Sequence, residues 1–281
     1  MDNAIAARRR AFRKLHESGC FVIPNPWDVG SARWLAGMGF KALATTSSGN
    51  AWSRGRFDGG LSREEVLAHL RELVHATDLP VNADFENGYG ARPEDVAQSV
   101  RMAVDTGIAG LSIEDSTGDS SKPLFDVAEA VARMRAARKA IDETGEDVML
   151  VGRSEGFWVG KPDLADTIAR LKAYSEAGAD CLYAPAVKTR QDIEAIVKAV
   201  APKPVNLLIG GPSEFTMKDV EAMGVRRVSV GGALARAAWG GFMRATRGIL
   251  EQGRFDGFND AAPGAELNGF FRKHGGKANA P

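Results

Sequence analysis

Short apolar runs alternate along the chain with longer stretches in which apolar residues recur every three or four positions. That alternation is the pattern of parallel strands joined by crossover helices. The apolar runs predict strands over Phe21–Pro24, Ala42–Thr45, Pro80–Asp84, Gly110–Ile113, Val148–Gly152, Cys181–Ala184, Val205–Ile209 and Val228–Val230. Several carry the valines and isoleucines of strands buried on both faces. Helical stretches are predicted to begin near Asp28, Arg63, Pro93, Leu124, Leu164, Thr189, Thr216 and Gly232. Ser62 with Glu65 three residues on reads as a capping box, and Arg92-Pro93-Glu94 and Lys161-Pro162-Asp163 put proline at a helix entry. Gly39, Gly107, Gly178 and Gly224 each fall just before the next strand, where a helix-ending glycine belongs. Eight such pairs in about 250 residues predict an α/β fold, a (β/α)8 TIM barrel. After Gln252 the period breaks. The tail carries Phe255, Phe258, Phe270 and Phe271, which predicts a short helix near Glu266–Phe271 with its aromatics buried against the barrel or a neighbouring subunit, then a flexible end. With no long linker, residues 1–281 are expected to form one domain, with 253–281 as a C-terminal extension.

Composition narrows the function. Of 281 residues, 36 are basic and 36 acidic, so the chain lacks the basic excess of a nucleic-acid binder. The 2 cysteines, Cys20 and Cys181, form no C-x-x-C pair and cannot build a disulfide framework or a cysteine-rich zinc site. A cytoplasmic setting is the expectation. The first twenty residues are charged throughout, unlike a signal peptide, and no apolar run is long enough to span a bilayer.

In a barrel of this kind the chemistry sits where strands end. After the second strand comes Thr45-Thr46-Ser47-Ser48-Gly49-Asn50, a small polar loop able to hold a carboxylate or phosphate, and equally readable as a plain turn. Asp58 follows on the same rim, unless it only shapes a turn. The third strand ends in Asp84-Phe85-Glu86-Asn87-Gly88, and in extended chain Asp84 and Glu86 project to one face. Like charges so placed call for a cation, and hard oxygens suit Mg2+ or Mn2+. The segment alone is also compatible with a solvated acidic turn. Glu114 and Asp115 close the fourth strand and Arg153 the fifth, where a guanidinium could clamp a substrate carboxylate, stabilise an enolate oxygen, or serve only as a salt bridge. Acid, acid and base at three successive strand ends are hard to dismiss together. Gly231-Gly232 opens the last helix without a dinucleotide fingerprint. His16, His69, His75 and His274 stand at no strand end, so packing or surface roles are expected of them.

At these residues the sequence resembles the isocitrate lyase and phosphoenolpyruvate mutase superfamily. The resemblance covers almost the whole chain: N-P-W-D-V-G-S-A after the first strand, T-T-S-S-G-N after the second, A-D-F-E-N-G-Y-G after the third, I-E-D after the fourth and G-R-S-E after the fifth. It implies a barrel whose eighth helix is often swapped between subunits of a dimer or tetramer. It also implies Mg2+, a small 2-oxo carboxylate, and a C–C or P–C bond made or broken through an enolate. Carried over by position, Asp84 resembles the principal metal carboxylate, Glu86 takes the place of a second aspartate, and Glu114 resembles a third member acting through metal-bound water. Asp58 falls near the metal. Ser47, Ser48 and Gly49 look like the loop that holds the substrate carboxylate, Arg153 like the substrate-clamping arginine, and Trp27 and Asn206 fit pocket positions more loosely.

One departure matters. Isocitrate-type lyases carry a K-[KR]-C-G-H loop after the fourth strand, whereas this chain reads Asp115-Ser116-Thr117-Gly118-Asp119-Ser120-Ser121-Lys122-Pro123-Leu124. The Lys-Thr-Asn gating loop of phosphonopyruvate enzymes is missing too. The expectation is therefore a Mg2+-dependent lyase or decarboxylase of small 2-oxo or 2-hydroxy di- or tricarboxylates, with residues 115–125 as a possible lid. The alternatives are a phosphonopyruvate mutase or hydrolase, and a non-catalytic 2-oxo acid binding protein. Neither nucleic acid nor membrane is expected as a partner.

Overall fold

The computed structural model describes residues 3–275, and in it eight parallel strands pair in the order β1-β8-β7-β6-β5-β4-β3-β2. They are β1 (Phe21–Ile23), β2 (Leu43–Ala44), β3 (Val81–Asp84), β4 (Gly110–Glu114), β5 (Met149–Arg153), β6 (Cys181–Tyr183), β7 (Val205–Leu208) and β8 (Arg227–Ser229). The two free edges are drawn together by Ala44 N donating to Pro24 O at 3.0 Å and Asn25 Nδ2 donating to Thr45 O at 2.9 Å. The result is a (β/α)8 barrel, and each strand lies within one residue of its predicted bounds. The helices are α1 (Asn3–Leu15), α2 (Val29–Gly37), α3 (Ser47–Ser53), α4 (Arg63–Ala76), α5 (Pro93–Val104), α6 (Val127–Thr144), α7 (Leu164–Glu176), α8 (Arg190–Val200), α9 (Met217–Ala222), α10 (Ala233–Gln252) and α11 (Gly264–His274).

Local chemistry sets the helix ends. Ser62 and Glu65 form the expected capping box. At α7 the cap is Asp163, which accepts from Asp166 N at 3.0 Å, so Pro162 precedes the helix instead of entering its first turn. Gly39, Gly107, Gly178 and Gly224 take φ of 95°, 89°, 104° and 82°, left-handed values that glycine reaches without a Cβ clash. α6 starts at Val127 instead of near Leu124, because Leu124 bridges back to Ser116 and Phe125 N donates to Asp115 O at 2.9 Å. Those contacts fold the stretch after β4 into a tied hairpin.

Strand alternation divides the core in two. Outward residues such as Leu111, Ile113, Leu150, Leu182 and Val228 pack under the helices. Inward ones such as Ile23, Ala44, Met149, Val151 and Cys181 fill the lumen with Phe12 of α1. α1 was not predicted, since its arginine run hides the apolar stripe. Those arginines attach it to the N-terminal ends of the strands. Arg9 donates to Ile108 O and Val104 O at 2.9 Å each, and Arg13 pairs with Asp147 at 2.6 Å and Asp180 at 3.2 Å. The helix thus plugs the barrel bottom. Gly110 makes room for the plug, because a Cβ there would lie 2.8 Å from both Phe12 and Asn82 Oδ1.

Beyond α10 the chain turns through Asp256–Phe258 into α11, where Phe270 stacks on Trp34 of α2 with centroids 4.1 Å apart. Phe255 and Phe258, which flank the turn outside α11, are 64% and 55% exposed, and the turn packs on α10. The expected flexible end, 276–281, lies outside the described residues.

Candidate active site

A cavity of about 810 Å3 opens at the C-terminal ends of the strands. Asp84, Glu114 and Arg153 close three neighbouring strands, and the β4–β5 register sets Glu114 directly beside Arg153. Arg153 Nη1 lies 3.1 Å from both Asp84 Oδ1 and Glu114 Oε2, while Nε donates to Glu155 Oε1. Its guanidinium also lies 5.2 Å from the centroid of the Tyr183 ring. Held by three carboxylates, Arg153 is kept well above its ordinary pKa against the opposing effect of burial. Behind it, Glu155 N donates to Asp115 Oδ1 at 2.7 Å, and Asp115 accepts from Tyr174 Oη at 2.6 Å and Arg170 at 3.2 Å. This buried layer fixes the direction of the guanidinium.

Asp84 is held from the other side, accepting from Ser47 N at 2.9 Å while its own N donates to Thr45 Oγ1 at 2.8 Å. Asp58 faces the same wall, pushed upward in pKa by burial and then by Asp84, with Ser47 opposing. Burial first, and then Asp84 and Asp58, push Glu86 up to about 7, although a hydrogen bond from Tyr89 Oη at 2.6 Å pulls the other way. Glu114 is raised for the same leading reason. Glu86 sits at φ 46° and Tyr89 at φ 51°, left-handed positions that non-glycine residues seldom occupy. The strained turn presents Glu86 O to Glu114 N at 3.0 Å, locking the two loops together.

Several carboxylates thus crowd one guanidinium, and that excess of hard oxygen and negative charge fits a divalent cation. Among the described residues no three acidic, histidine or cysteine side chains stand close enough to grip an ion together. A Mg2+ ion that keeps most of its waters needs only one or two carboxylates. Asp84 and Asp58 line the cavity, whereas Glu86 and Glu114 are not among its lining residues and are engaged by Tyr89 and Arg153.

Other predicted positions divide similarly. Ser47, Ser48 and Asn206 line the cavity. The Ser47-Ser48-Gly49 segment is not a loop: it opens α3, capped by Thr46, whose Oγ1 accepts from Gly49 N at 3.3 Å. Gly49 and Trp27 do not line the cavity but pack against each other, and a Cβ on Gly49 would come 2.9 Å from the Trp27 Cβ. Asn25, Asn82, Ser112, Tyr183, Ser229 and Arg227 also line the site and were not singled out from sequence. Asn82, Ser112 and Arg227 lie one inward position below a strand end, so period-two counting back from Asp84 or Glu114 would have found Asn82 and Ser112. Cys20 and Cys181 line no part of the cavity. Burial pushes the Cys20 thiol up to about 11. No helix among the described residues is long and apolar enough to cross a membrane.

Residues 12–250 match the phosphoenolpyruvate phosphomutase family. An oxaloacetate decarboxylase of Paraburkholderia xenovorans is 30% identical over 79% of this chain and 74% of that protein. An uncharacterised Mycobacterium tuberculosis protein is 33% identical over 79% of this chain and 81% of its own length. Among solved structures, a Burkholderia cenocepacia protein assigned only provisionally as a lyase/mutase superposes with a TM-score of 0.92 at 45% identity, covering 96% of this chain and 97% of that one. Oxaloacetate acetylhydrolase in complex with oxalate superposes with a TM-score of 0.83 at 25% identity, covering 95% and 94%.

Proposed function

Because the chain belongs to the phosphoenolpyruvate phosphomutase family, we propose that it is a Mg2+-dependent lyase that cleaves or decarboxylates a small 2-oxo or 2-hydroxy di- or tricarboxylate. The observation that carries this reading is the Arg153–Asp84 pair, 3.1 Å apart on the wall of a cavity at the strand ends. In decarboxylation of a 2-oxo diacid whose second carboxylate is β to the carbonyl, the C–C bond to that carboxylate breaks and its electron pair passes into an enolate on the 2-oxo oxygen. CO2 leaves, and a proton returns to carbon.

Asp84 and Asp58 would hold the ion, with Glu86 and Glu114 reaching it through water. When bound, Mg2+ supplies a Lewis acid for the substrate oxygens. The protein orients the rest. Ser47 N and Arg153 fix the two oxygens of Asp84, and Glu155 with Glu114 fixes Arg153. A guanidinium held this rigidly stabilises negative charge developing on the substrate oxygen without reorganising as the bond breaks. Ser47 and Ser48 stand beside it for the first carboxylate.

The test is a screen of oxaloacetate, phosphonopyruvate, methylisocitrate and dimethylmalate with and without Mg2+, with products identified, on the parent, Asp84→Asn and Arg153→Met. Turnover that requires Mg2+ and falls at least about a hundredfold in either variant is expected, the size reported for losing one oxyanion-stabilising donor. Equal turnover by parent and Asp84→Asn refutes the assignment. The phosphomutase family match favours one second reading, a P–C mutase or hydrolase; phosphorus NMR on phosphonopyruvate separates the two.

Self-association through α10 belongs to the same proposal. This helix buries only Ala235 and Ala245 and exposes Trp239, Phe242, Met243 and Leu250. A stripe of that kind on a helix leaving the barrel suits a second copy of the chain.

A further inference from the structure

The floor of the cavity holds a charge that the mechanism above does not use. Arg227, the first residue of β8, is 3% exposed and lines the cavity. Its guanidinium crosses the lumen. Nε donates to Asn206 Oδ1 at 2.8 Å, and Nη1 faces His16 Nε2 at 3.4 Å and Asn82 Oδ1 at 3.5 Å. None of these partners is a carboxylate, and no described residue accepts from Nη2.

That is costly. A buried cation is ordinarily paired, and leaving one unpaired forfeits its hydration without a compensating charge. Burial accordingly lowers the Arg227 pKa, with only Cys181 and Tyr183 opposing it. His16 cannot relieve the charge, because burial and Arg227 hold the imidazole neutral. The contrast with Arg153 is direct: the arginine at the mouth already has three carboxylates, whereas Arg227 below it is buried without one, unlike Lys188 and Arg236, which also line the cavity but are exposed. Around Arg227 the lumen offers the amides of Asn82 and Asn206 and the hydroxyls of Ser112 and Ser229, polar where a barrel interior is usually filled by branched apolar side chains.

We propose that Arg227, with Asn82 and Asn206, is an anion subsite that receives the second carboxylate of the substrate, making the enzyme selective for short diacids over monoacids. The inference rests on the functional reading above and specifies its substrate class. Asn82 and Asp84 are successive inward positions of β3, separated along the strand by about 6.6 Å. A diacid whose first carboxylate and oxo group lie at Asp84 and Arg153 therefore points its far end down the barrel axis to Arg227. The guanidinium has N–H groups left for that carboxylate, and the ion pair formed removes the penalty of the empty floor.

The test compares binding of L-malate and L-lactate, which differ in the second carboxylate, by calorimetry with Mg2+ for the parent, Arg227→Met and Arg227→Lys. The parent is expected to prefer malate at least about a hundredfold. Arg227→Met should lose that preference while binding lactate as the parent does, and Arg227→Lys should keep part of it. The melting temperature gives a second readout, since removing an unpaired buried charge from a folded core should leave it unchanged or raise it, whereas loss of a structural arginine should lower it. A folded Arg227→Met protein that keeps the malate preference overturns the subsite alone, as does a large fall in melting temperature with selectivity intact in Arg227→Lys and Arg227→Gln. A parent protein that binds neither acid and turns over none of the screened substrates overturns the functional reading, and the subsite with it.

Discussion

His16 gives the barrel bottom a defined acid sensitivity. The ring lies edge-on between Phe12 and Phe21, with centroids 4.7 and 5.2 Å away. Nδ1 lies 2.8 Å from Phe12 O and must donate to that carbonyl, which leaves Nε2 as the acceptor facing Arg227. Burial and the neighbouring Arg227, with Arg13 and Arg226, push the imidazole down from 6.5 to about 3. The sign follows from which state takes the proton. Below pH 6.5 the unfolded chain protonates His16 while the folded protein does not, so stability falls as pH drops from 6.5 toward 3. At pH 4.5 the loss from this residue is about 3 kcal/mol, two pH units at roughly 1.4 kcal/mol each. Urea unfolding between pH 7 and 4.5, on the parent and His16→Leu, isolates it. His69, pushed down to about 4, loses stability in the same direction, but equally in both proteins. The variant should therefore retain about 2 to 3 kcal/mol more of its neutral-pH stability at pH 4.5. Parallel pH profiles for the two proteins, or an NMR titration of the folded His16 near 6, would refute the argument.

Gly110→Ala should destabilise the fold by about 1 to 3 kcal/mol, the range for overpacking a core, because the new methyl meets Phe12 and Asn82 Oδ1 at 2.8 Å. Gly269→Ala in α11, where nothing lies within 4 Å, is the control and should not lower the urea midpoint. Phe242→Glu places a charge on the exposed α10 stripe, where Phe242 is 58% exposed. Light scattering should show a smaller assembly than the parent with an unchanged circular dichroism spectrum, and identical masses would remove α10 from the interface.

The barrel was legible because buried parallel strands write themselves as short apolar runs, and because Gly39, Gly107, Gly178 and Gly224 mark helix ends by a backbone requirement independent of tertiary context. α1 and α3 were not legible, for opposite reasons. α1 is amphipathic, but Arg8, Arg9 and Arg13 interrupt its stripe, and their partners Asp78, Glu146, Asp147 and Asp180 lie far along the chain. α3 contains Ser47, Ser48, Gly49, Asn50 and Ser53, poor helix formers held by the Thr46 cap and by packing of Gly49 against Trp27.

The same limit applies to the site. A search at strand ends finds Asp84, Glu114 and Arg153 because they close their strands, and it passes over Arg227 because that residue opens one. Yet the register pairs Glu114 with Arg153, Arg153 with Tyr183, Tyr183 with Asn206, and Asn206 with Arg227. One row of paired inward positions therefore runs from the end of β4 to the start of β8. In a closed barrel the strands tilt and their register is staggered, so a paired row climbs along the axis instead of circling it at one height. The row carries a cation at each of two depths, one neutralised by carboxylates at the mouth and one left bare on the floor. Sequence position along a strand reveals only the first, and the stagger of the closed sheet brings the second into the same cavity.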